Sequence, residues 1–63
     1  MTAKQFIKAR TDLKLSQAAL GRALGKDTGT ISRYERGVFK ITLVVELAME
    51  TLATRAASKT IGL

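Results

Sequence analysis

Residues 25–37 read G-K-D-T-G-T-I-S-R-Y-E-R-G, and their types allow three different chemistries. Gly25-Lys26 has the ending of a glycine loop that cradles phosphate. Asp27-Thr28-Gly29 has the turn that carries the carboxylate of an aspartyl protease. Residues 28–36 have the polar, basic composition of a helix that faces an anion. A phosphate loop needs G-x-x-x-x-G-K-[ST] after a strand, so that successive backbone N–H groups close around the anion. Here Gly21 and Gly25 are separated by three residues, Lys26 is followed by Asp27, and the preceding segment has helical periodicity. A protease needs two carboxylates close enough to share one proton. A symmetric dimer would supply the second, but the turn must stand in a β-rich body, and this chain is patterned as helix. The third reading requires only local physics.

The elements that must position this stretch follow from caps and spacing. Thr2 and Gln5 have the T-x-x-Q spacing of a capping box, which starts a helix at Ala3. Phe6, Ile7, Arg10 and Leu13 recur at helical intervals along it, and Lys14-Leu15 is a short break. Ser16 is the N-cap of a second helix, over 17–24, and Gly25 ends it because glycine accepts left-handed backbone without steric penalty. Asp27 caps a third helix, with its charge favoured by the helix dipole, and Gly37 closes it. Ile31 and Tyr34 then point inward, while Thr28, Gly29, Thr30, Ser32 and Arg33 point outward. Two helices joined by the short link L-G-K-D make a helix-turn-helix, and small polar groups at the start of its second helix suit close approach to a DNA major groove.

A fourth helix is expected from after Thr42 to about Ala56, since Val45, Ala48, Met49, Leu52 and Ala56 keep a 3.6 period. Residues 38–45 are rich in β-branched and aromatic types, so a strand there stands as the alternative. Residues 58–63 are expected to form a frayed tail. The domain is thus expected over 1–57, with its helix-turn-helix core at 16–36.

The chain has 63 residues and a net charge of +6, unevenly placed. Residues 1–40 hold nine Lys/Arg against three acids, and residues 41–63 hold two of each. A basic front and a neutral back point to a nucleic-acid face and a packing or pairing face. There is no Cys and no His, so neither disulfides nor the usual soft metal ligands are available to so small a domain. No cofactor, metal or small-molecule substrate is expected. No apolar run approaches the roughly 18 residues of a membrane span.

Residues 15–37, L-S-Q-A-A-L-G-R-A-L-G-K-D-T-G-T-I-S-R-Y-E-R-G, resemble the Cro/repressor-type (XRE-like) helix-turn-helix family. The resemblance implies an all-α, lambda-repressor-like domain of four helices, with a short fifth as its variant. It implies a sequence-specific DNA-binding transcriptional regulator of phage or bacterial type, not an enzyme, acting in the cytoplasm of the bacterial or phage-infected cell. Carried over position by position, Thr28, Gly29, Thr30 and Arg33 match the base-reading positions. Gln17, Ser32, Arg36 and Lys40 match those that meet the DNA backbone. Arg10 and Glu35 match the family's structural ion pair. Gly21 stands where the family usually has alanine, at the crossing of the two helices. Lys26 and Asp27 depart from the small or β-branched residue and the Ser/Thr cap common there. Gly29 offers no side chain for readout and weakens its helix by ~1 kcal/mol relative to alanine.

The fourth helix is apolar over a wide arc, which a core this small either uses whole or leaves in part to a partner. Val45, Ala48, Met49 and Leu52 make one stripe, with Leu43, Val44 and Leu47 beside it. A two-fold homodimer through this helix, with Ile61 and Leu63, would pair two reading helices over a palindromic operator. The alternative function is a protein-interaction module or antitoxin-type subunit that binds a partner through the apolar residues 43–56.

Overall fold

The computed structural model describes residues 1–61, with side chains to Ala56. The described residues form four helices: α1 (Ala3–Asp12), α2 (Gln17–Leu24), α3 (Thr28–Glu35) and α4 (Leu43–Ile61). The starts are set by side-chain acceptors for N–H groups that no helical carbonyl can reach. Thr2 and Gln5 close a reciprocal capping box, Ser16 Oγ accepts from the Ala19 N–H at 3.0 Å, and Asp27 Oδ1 accepts from the Thr30 N–H at 3.0 Å. The Thr42 carbonyl accepts from the Glu46 N–H at 3.0 Å, where α4 begins.

The ends of α1, α2 and α3 share one device. A residue in left-handed backbone follows the helix, and the next N–H reaches back five residues to a helical carbonyl: Leu15 to Arg10, Lys26 to Gly21, and Val38 to Arg33. At two of the three the left-handed residue is glycine, with φ of 70° at Gly25 and 76° at Gly37. At the first it is Lys14, with φ of 59°, where the side chain carries a steric penalty that glycine avoids.

The connection between α2 and α3 is tight because Gly21 has no side chain. A Cβ there would stand 2.6 Å from the Lys26 carbonyl oxygen, well inside van der Waals contact. The alanine usual in the resembling family would therefore force this turn outward.

The core is formed by Phe6, Leu20, Ile31, Tyr34, Ile41, Val45 and Met49, at least one from each helix. Met1, Ala9, Leu15, Leu24 and Leu52 pack around it. Phe6 and Tyr34 meet with ring centroids 5.5 Å apart, joining α1 to α3. Ile41 enters from the segment between α3 and α4. That segment, 38–42, is neither strand nor helix, so the strand held open for 38–45 is not what forms there. Its β-branched and aromatic residues instead seat a connection on the core.

Only one stripe of α4 is used inside. Val45 and Met49 are buried and Leu52 is partly so, whereas Leu43, Val44 and Leu47 are 68, 77 and 51% exposed. α4 is described to Ile61, beyond the end near Ala56 expected from its period, while the side chains of the tail expected at 58–63, Ile61 and Leu63 among them, lie outside the described ones. No helix among the described residues is long and apolar enough to cross a membrane.

Candidate nucleic-acid interface

The outward side of α3 is fixed by what its other side buries. Ile31 is fully buried and Tyr34 is 6% exposed, so the helix has a single seating. With those two residues inside, Thr28, Gly29 and Arg33 are exposed, and Thr30 and Ser32 are half-buried beside them. Of the expected reading positions, Thr28, Gly29 and Arg33 thus share the exposed side, and Thr30 lies at its edge.

A polar node locks that seating. Arg10 of α1 donates from Nε to Glu35 Oε2 at 2.5 Å and from Nη2 to Oε1 at 3.4 Å, and its Nη1 donates to the Leu15 carbonyl at 2.8 Å. Gln17 of α2 donates from Nε2 to Glu35 Oε1 at 2.8 Å. The Glu35 and Arg10 side chains are only 8% and 17% exposed. One carboxylate at the end of α3 therefore holds both other helices of the unit, and no buried side-chain polar atom among the described residues lacks a partner. Charge-assisted bonds of this kind are short and directional, so they set the angle between helices as well as their distance.

The first turn of α3 has its own network. Besides capping the helix through the Thr30 N–H, Asp27 accepts a hydrogen bond from the Thr30 hydroxyl. Those two bonds, the side-chain one foremost, hold the Asp27 carboxyl below its ordinary value, and the nearby Arg33 charge acts in the same direction. Thr30 is thus turned back on its cap, and Thr28 is the threonine left facing outward. Gly29 contributes room: a Cβ there would lie 3.4 Å from Arg33 Nη1. Arg33 leans toward the N-terminus of α3, as helical side chains do, over that bare turn.

The remaining polar positions lie around this face. Arg36 donates from Nε to Ser32 Oγ at 3.3 Å, so the two expected backbone contacts are joined. Lys40 is exposed beyond them. Gln17 has one amide N–H engaged with Glu35 and a second to offer. Lys8 is paired with Asp12 at 2.9 Å, with both side chains largely exposed. Lys14, Arg22 and Lys26 are exposed.

Phe39 is a participant that sequence reasoning passed over. Its ring meets Tyr34 edge-on at 6.1 Å and lies under the Arg33 guanidinium, whose Cζ is 5.6 Å from the ring centroid. The clue available in the sequence was an aromatic residue six positions beyond an exposed arginine, just past a glycine helix stop.

The arrangement is a firmly seated helix with small groups at its start, an arginine one turn later and exposed basic residues after its end. It presents hydrogen-bond donors and positive charge on one side of the described residues. Comparison with known families agrees in kind: a family model described as helix-turn-helix matches residues 6–49. No curated protein and no solved structure matches the chain significantly.

Proposed function

The chain belongs to the Cro/repressor-type (XRE-like) helix-turn-helix family, and we propose that it is a sequence-specific regulator, of repressor or Cro kind, that reads an operator through α3. DNA-binding transcription regulation is the general property of the family. The finer reading rests on one observation: burial of Ile31 and Tyr34 turns Thr28, Gly29 and Arg33 to a single exposed side, braced from behind by Arg10, Glu35 and Gln17.

In this reading Arg33 donates in its plane to guanine O6 and N7, and Thr28 meets a thymine methyl or a phosphate. Thr30 acts from its place beside Asp27, and Gly29 lets the helix approach the base edges closely. Gln17, Ser32, Arg36 and Lys40 donate to phosphates, which supplies most of the affinity and none of the sequence choice. Regulation is steric, through occupation of a site that polymerase needs. We assign the chain no catalytic activity.

The exposed Leu43, Val44 and Leu47 of α4 favour a homodimer. Two copies related by a two-fold axis would then place their α3 helices on successive turns of one groove over a palindrome. A binding selection from random duplex DNA at about 150 mM salt, where weak charge-driven association is screened, tests this. The expected product is a palindrome with half-sites about 10 base pairs apart. Enrichment of a single half-site would remove the dimer and keep the reader. Binding that depends on salt but enriches no sequence would overturn the proposal.

A further inference from the structure

Arg33 has an unequal environment. Its guanidinium lies over the Phe39 ring and near the Asp27 carboxylate, while its N–H groups make no hydrogen bond among the described residues. A cation–π contact holds the charge without using its N–H groups, and those are what a bidentate acceptor pair needs. Phe39 is itself fixed from two sides. Its ring rests on Tyr34, which packs on Phe6 in the core, and its backbone N–H donates to the Arg33 carbonyl at 3.3 Å. An exposed arginine ordinarily loses much of its side-chain freedom when held in one pose. Here part of that loss is already incurred in the free protein.

We propose that Phe39 is a positioning residue for sequence readout: it holds the Arg33 guanidinium against its ring, beside the open turn at Gly29, with the N–H groups left to donate to a guanine. The inference rests on α3 being the reading helix, and deepens it by naming a residue outside that helix that determines its selectivity. Phe39 touches no base in this scheme and acts through Arg33.

The test uses the full chain and the sequence recovered by selection. Arg33→Ala identifies the base pair at which Arg33 sets the preference. The affinity ratio for guanine over adenine at that pair is then measured for wild type, Phe39→Leu and Phe39→Tyr. A ratio within one protein is insensitive to the fraction folded, so it separates positioning from general stability. Exposed cation–π contacts imply a loss of about two- to fivefold in that ratio for Phe39→Leu, with retention in Phe39→Tyr. NMR of the free proteins gives an independent readout. The Arg33 Cδ protons should show a ring-current shift in wild type and Phe39→Tyr that is absent in Phe39→Leu. An unchanged ratio in Phe39→Leu would overturn the inference while leaving the reader intact. So would an equal loss of affinity for all sequences, or a ratio lost equally in Phe39→Tyr. If wild type enriches no sequence, or Arg33→Ala alters no position, the reading of α3 fails and takes this inference with it.

Discussion

Removing the carboxylate that joins three helices is the most informative single perturbation. Glu35→Ala leaves the Arg10 guanidinium, on a side chain only 17% exposed, without its carboxylate partner, and frees the Gln17 amide that donated to the same group. Exposed ion pairs contribute about 0–1 kcal/mol, whereas breaking a buried pair by removing one member costs about 3–5. With side-chain exposures of 8% and 17% this pair stands nearer the buried limit, and the remaining solvent access lowers the expected loss to about 2–3 kcal/mol. A domain of this length holds only about 3–5 kcal/mol in all, so most of its stability is at stake. The expected fall in melting temperature is about 10–20 °C, on a scale of about 4–8 °C per kcal/mol for such small domains. Urea and thermal melts followed by far-UV circular dichroism measure it. The double variant Arg10→Met/Glu35→Leu should recover a large part of the loss, because no charge is then stranded. A loss under ~0.5 kcal/mol for Glu35→Ala, or a double variant no better than the single one, would refute the idea that this node carries the seating of α3.

Three further outcomes are expected. Lys14→Gly should stabilise the protein by about 0.5–1 kcal/mol in the same melts, since it relieves a left-handed residue without removing a side chain from the core. The Asp27 carboxyl titrates below its ordinary value of 3.8 in the folded state, so its contribution to stability is complete above that value and is lost as pH falls through the folded value. An acid titration of unfolding should accordingly show wild type losing its advantage over Asp27→Ala below about pH 4. Val44→Lys should leave the melt of the isolated domain within about 0.5 kcal/mol, since the site is 77% exposed, while shifting sedimentation toward monomer and weakening operator binding. An unchanged sedimentation profile would remove α4 from the proposed dimer contact.

Much of this architecture is legible in the sequence because its signals are local. The capping box of Thr2 and Gln5, the caps Ser16 and Asp27, and the stops Gly25 and Gly37 each depend on a few neighbouring atoms, and residue type states them directly. Lys14 gives no such signal. Lysine is a poor choice for left-handed backbone, and the hydrogen bonds that hold it there come from a helix end whose position is already decided by packing. Residues 38–42 were ambiguous for a similar reason. A β-branched residue such as Ile41 fits a strand or a core-facing loop equally well, and only the presence of Phe6, Tyr34 and Val45 around a common centre selects between them. On α4 the periodicity gave two candidate stripes, and burial chose Val45 and Met49.

The candidate interface divides in the same way. The outward position of Thr28, Gly29 and Arg33 follows from the inward position of Ile31 and Tyr34, which spacing alone predicts. What these groups do there is a tertiary matter. Thr30 is occupied by its own cap, Gly29 serves as space, and Phe39 reaches Arg33 only because the loop folds back along α3. None of these three facts has a periodicity or a motif.

The placement of the Arg10–Glu35–Gln17 node has a kinetic consequence. Short turns closed by five-residue back-bonds make most contacts of this chain local, and chains of such topology fold in microseconds to milliseconds. Arg10 and Glu35 are 25 residues apart, and their geometry is met only when α1, α2 and α3 have all come to rest. A contact completed that late is largely absent from the folding transition state. Its removal should therefore act mainly on the rate of escape from the native state and little on the rate of arrival. The node works as a latch on an already assembled trihelical unit, lengthening the time for which the outward side of α3 persists in one shape.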